Sequence, residues 1–155
     1  MIDGKVVAFE PRLGLPACTT PTTTARLTAT RTLCHAWHTG SGEHSYDTRL
    51  ETDSAGNFYF FKTGDTHLPC MVRLDARQPD GKKVEVFSTG FRHPIGLGVS
   101  PTDMVTGADQ EGNWMPVTRL DIYKRGGFYG DMRHIIDRWH RPPTIARCVA
   151  AQVGR

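Results

Sequence analysis

Apolar and polar positions alternate in the middle of the chain and lose that order toward both ends. Residues 57–63 read NFYFFKT, an aromatic, strand-favouring run that follows the turn signal Asp53, Ser54, Ala55, Gly56. Residues 71–75 (MVRLD) alternate, Pro79, Asp80 and Gly81 supply a turn, and residues 83–88 (KVEVFS) alternate again. Short loops between such runs are how antiparallel meanders are built. Residues 97–100 and 119–123 (RLDIY) add two short strands, each bounded by Gly, Pro or Asp. Nothing in 43–133 sustains the spacing of a helix. The pattern predicts an all-β body.

That body repeats. Arg73, Leu74 and Asp75 recur 46 residues later as Arg119, Leu120 and Asp121. Leu50 opens a strand before the 53–56 turn, and Leu97 opens one before the turn of Pro101, Thr102 and Asp103, a spacing of 47. Gly64 and Asp65 close the first stretch; Gly107, Ala108 and Asp109 close the second. A period of this length is that of a four-stranded propeller blade. The expectation is a partial β-propeller of about two four-stranded blades over residues 43–133. Closed propellers use about 4–8 blades. Two would leave sheet faces and strand edges open to water, with the remaining blades missing.

The flanks differ in kind. Between Pro11 and Gly42 there is no Asp or Glu, and eight of the fourteen residues 19–32 are threonine. Residues 1–42 therefore read as an irregular, low-complexity flank, and 134–155, with its Arg, His and adjoining Pro142 and Pro143, as an irregular tail.

Charge and cysteines narrow the function classes. The net charge is +3, yet residues 43–133 carry eleven basic and thirteen acidic side chains, so the excess of basic groups lies in the flanks. A nucleic-acid binder concentrates its basicity in the folded body, and no such partner is expected. No stretch reaches the roughly 18 apolar residues of a transmembrane helix, and residues 1–10 show no export signal. Cys18, Cys34, Cys70 and Cys148 form no CxxC pair, which speaks against a zinc ribbon. Scattered thiols are expected, with two disulfides the alternative.

Three ordered motifs carry a resemblance. They are EHSYDTRLETDSAGNFYFFKTGD at 43–65, GFRHPIGLGVSP at 90–101 and GGFYG at 126–130. Together they resemble the soluble quinoprotein glucose/sorbosone dehydrogenase superfamily, in its putative membrane-bound dehydrogenase branch. The resemblance implies a six-bladed propeller holding pyrroloquinoline quinone and calcium, a sugar or polyol substrate, and a periplasmic or extracellular location. Hydride would pass from a C–OH to the quinone.

By the same resemblance His44 takes the place of the general base, a role that suits an imidazole near neutral pH. Its alternative is a solvated turn histidine. Arg92 matches the arginine beside the quinone's carboxylates, for which a planar guanidinium is suited; its alternative is a structural arginine pinning the turn carbonyls. His93 stands where the family has asparagine, and Ile95 where it has glutamine. The calcium loop would fall at Glu111 and Gly112, whose carbonyls could supply some of the six to eight oxygens the ion takes. A non-catalytic propeller scaffold that binds polysaccharide or protein is the alternative function. The resemblance also implies an acidic stretch upstream of Glu43. Aspartate codons read one base out of register encode threonine, so a shifted reading frame is one expectation for residues 11–42 and 134–155, and native, divergent linkers are the alternative.

Overall fold

The computed structural model describes residues 6–10, 15–21, 27–32, 47–63, 69–75, 77, 84–112 and 116–131, the first three stretches by backbone pairing alone. Eleven strands follow in chain order. They are β1 (Val6–Glu10), β2 (Leu15–Pro21), β3 (Leu27–Thr32), β4 (Asp47–Thr52), β5 (Phe58–Lys62) and β6 (Cys70–Leu74). Then come β7 (Val84–Thr89), β8 (Gly96–Val99), β9 (Val105–Asp109), β10 (Arg119–Tyr123) and β11 (Gly127–Phe128). No helix occurs among the described residues.

Strands β4 to β7 pair consecutively and antiparallel, and β11 runs parallel to the outer edge of β7. Strands β8 to β10 form a second antiparallel sheet. The all-β expectation holds, with one correction to strand number. The second sheet has three strands among the described residues, where four were expected. After β10 the chain turns back, with Gly127 N–H bonding to Lys124 O at 2.9 Å, and lies against β7 instead. Within the flank expected to be irregular, β1, β2 and β3 pair antiparallel in that order. Threonine is β-branched and favours extended backbone without needing an alternating pattern, so the sequence carried no periodic signal for these strands.

The two sheets repeat at a spacing of 47. Asp53 O accepts from Gly56 N–H at 3.0 Å, and Ser100 O accepts from Asp103 N–H at 2.9 Å. Asp53 N–H bonds to Asn57 O at 3.1 Å, as Ser100 N–H does to Met104 O at 2.9 Å. The turn needs a left-handed residue at its end, supplied by Gly56 (φ 81°) and then by Asp103 (φ 60°). Pairing agrees: Glu51 faces Tyr59 as Gly98 faces Thr106, and Thr52 faces Phe58 as Val99 faces Val105. The third strand is offset by 49, since Leu74 faces Phe58 and Tyr123 faces Val105. The tripeptide match of Arg73 with Arg119 is therefore three residues out of structural register.

Between the sheets lies one core. Tyr59, Phe61, Met71 and Phe87 from the first sheet meet Phe91, Val105 and Tyr123, with Leu97, Val99 and Tyr129 packed alongside. Phe61, Phe91 and Tyr123 meet edge to face in all three pairs, with centroids 5.2–5.6 Å apart. Such pairs contribute about 0.5–1.5 kcal/mol each beyond the area they bury. The strands are also stitched directly: Thr48 Oγ1 donates to Pro94 O at 2.9 Å and Arg49 Nε to Ile95 O at 3.1 Å. The bulge between Thr48 and Glu51 accompanies the positive φ of Arg49 (58°).

Candidate functional site

Strand polarity gathers the chemistry-bearing residues at one end of the sheets. Asp47, Lys62, Cys70 and Thr89 form a row across the first sheet, and Thr89 leads into the turn at 90–95. In the second sheet, Gly96 pairs with Ala108, and Asp109 pairs with Arg119 at the mouth of the loop that joins β9 to β10. Gly90 is tightly enclosed: its φ is 85°, and a Cβ there would come within 2.7 Å of the Phe128 ring and Tyr129 N. Only glycine lets the turn leave β7 against β11.

Asp109 holds that turn. Its Oδ2 accepts from Arg92 N–H at 2.9 Å, and its Oδ1 from His93 N–H at 3.0 Å and Gln110 N–H at 2.9 Å. Burial pushes its carboxyl above the ordinary value of 3.8, against the pull of these amides and of the Arg119 charge. Arg119 lies 3.9 Å from Asp109 Oδ2 and 2.7 Å from Asp121 Oδ2, and it donates to Tyr129 O. Burial also pushes the Tyr123 hydroxyl upward, and among the described residues that hydroxyl has no hydrogen-bond partner.

Four of the five residues singled out in the sequence come together here. Arg92 donates from a terminal nitrogen to Glu111 O. Gly112 faces the stem of the same side chain, since a Cβ on it would sit 3.3 Å from Arg92 Cδ. His93 is fixed through its backbone to Asp109, and the Glu111 carboxylate accepts from Thr118 Oγ1 at 3.2 Å. His44 lies outside the described residues.

These contacts bear on the two groups the resemblance implies. The Glu111 carbonyl that would face calcium already accepts from a guanidinium, whose positive charge opposes a cation beside it. Among the described residues no three His, Cys, Asp or Glu gather as a metal site would require. One terminal nitrogen of Arg92 is engaged, and its buried Nε has no partner among the described residues. The guanidinium is thus drawn toward the Glu111 backbone through one of its two terminal nitrogens. Arg92 and Glu111 O engage each other rather than either group.

Asp109 and Arg119 are the functional-looking residues that the sequence reading did not mark as a pair. A signal existed in the 47-residue period, which makes Asp109 the equivalent of Lys62, each a buried charged residue ending the second strand of its sheet. Comparisons with family models, curated proteins and solved structures gave no match to the chain.

Proposed function

We propose that residues 47–131 are two successive propeller-type sheet units that act as a recognition scaffold, with polysaccharide or protein bound at the sheet end carrying the 90–95 turn and the β9–β10 loop. One observation carries this reading. The Arg92 guanidinium, which the resemblance assigns to the cofactor, and the buried Asp109 carboxylate both hold backbone. The repeated turns supply the support for successive units.

The second reading is a quinoprotein-type sugar or polyol dehydrogenase with His44 as base. What favours it is that β4 starts, at Asp47, on the same row as Thr89 and so at the end that bears Arg92 and His93. Titration with pyrroloquinoline quinone and calcium, followed by dye-linked oxidation of sugars, separates the two. The scaffold reading expects no cofactor absorbance and no turnover, while Arg92→Ala lowers thermal stability. Stoichiometric quinone binding that requires calcium, with turnover lost in His44→Ala, would overturn it in favour of the dehydrogenase.

A further inference from the structure

The unit-to-unit step leaves one face of the second sheet uncovered. The first sheet meets the second through Tyr59, Phe61, Met71 and Phe87. Shifted by 47 on the second strand and 49 on the third, Tyr59, Phe61, Met71 and Arg73 correspond to Thr106, Ala108, Leu120 and Ile122. Those four share the outward face of the second sheet, because the opposite face, with Val99, Val105 and Tyr123, lies in the core. Leu120 is 87% exposed and Ile122 54%. A face that is the docking surface in one unit is thus open in the next, and its strand-borne side chains carry no charge.

We infer that this face, centred on Leu120 and Ile122, is the docking surface for a further sheet unit of the same build. The mating surface of that unit is equivalent to Leu97, Val99, Val105 and Tyr123, since this is the surface the existing step uses. A second copy of the chain is not the source, because its own surface of that kind is already buried against its first sheet. The step is head-to-tail, with unlike faces in contact, so it propagates instead of closing on a twofold axis. The inference rests on the repeat and stands apart from whether the loop end binds a cofactor or a polymer.

The test uses the full chain carrying Leu120→Cys, made once as it is and once with residues 94–131 duplicated in tandem after Asp131. Maleimide labelling is compared with the unsubstituted chains as blanks. The duplicated chain is expected to label on the order of tenfold more slowly at this position, as burial protected by local opening gives. Equal labelling, or a duplicated chain without cooperative unfolding, would overturn the inference. A second variant, Leu120→Lys with Ile122→Lys in the parent chain, is expected to leave its melting temperature within about 2 °C. A larger fall would show that the face is covered within the chain already, and that also overturns it.

Discussion

The first sheet and the second are built on the same turn and the same strand order, but they meet their cores differently. In the first, β5 and β6 bury Phe58, Phe60, Phe61, Met71, Val72 and Leu74 on both faces. In the second, β8 and β9 contribute Gly96, Gly98, Gly107 and Ala108, and only one face is covered. Phe60 in one unit corresponds to Gly107 in the other. A Cβ on Gly107 would lie 2.2 Å from Gly96 O and 2.7 Å from the Tyr123 ring, so the large residue has moved to the neighbouring strand. The period thus preserves backbone turns and pairing, while side-chain volume is redistributed to keep the space filled.

The sharpest way to break this comparison is at the aromatic contact between the units. Phe61→Ala should cost about 3–5 kcal/mol, as loss of a fully buried ring leaves a cavity. Urea unfolding followed by tryptophan or tyrosine fluorescence would measure it, and a cost under 1 kcal/mol would mean that Phe61 does not join the sheets. Next is Gly107→Ala, expected to destabilise by about 1–3 kcal/mol because the obstruction is backbone. Gly56→Ala, with open space around it but φ 81°, should cost about 1 kcal/mol. Reversal of that order would show that the second unit is looser than its contacts imply.

The two turn-holding carboxylates sharpen the contrast through pH. At Asp53 burial pushes the carboxyl up, but hydrogen bonds from Asn57 and Tyr59 and the Arg73 charge outweigh it and hold it below 3.8. Its contribution is present above the unfolded value and is lost as pH falls through the lower folded one. Asp109 is held above 3.8, so its ionised form is disfavoured in the folded state. That penalty is full above its raised value and relieved as pH falls toward 3.8. Asp53→Asn should therefore flatten the acid loss of stability and Asp109→Asn should steepen it, in melting curves taken across the acid range. At neutral pH Asp109→Asn is expected to cost about 1–2 kcal/mol through weakened bonds to the Arg92 and His93 amides. Smallest of all is Leu120→Ala, within about 0.5 kcal/mol at an exposed site.

Much of the fold could be read from residues that act locally. The aromatic run at 57–63, the alternation at 71–75 and 83–88, and the turn at 53–56 need only neighbours in sequence to declare strands and a bend. The spacing of Leu50 to Leu97 marked the repeat in its true register. The match of Arg73 with Arg119 misled, since the tripeptide recurs at 46 while the third strand repeats at 49, so it sits at the end of β6 but at the start of β10. β9 was read only as a closing motif, because VTGAD lacks the large residues that announce a strand. At the site, Arg92, His93, Glu111 and Gly112 were found as neighbours, but what Arg92 donates to depends on a loop brought to it by tertiary pairing. The role of Asp109 was hidden for the same reason, as its partners are backbone amides that no sequence pattern marks.

The central claim is that the three strands of the second sheet repeat β4 to β6 of the first and are folded onto that sheet as one cooperative body. Hydrogen exchange of the intact chain, followed peptide by peptide, tests it directly. The account expects amides of β5, β6, β9 and β10 to share one protection free energy, lost together in Phe61→Ala. Unprotected exchange through 96–123 while 58–89 stays protected would contradict it.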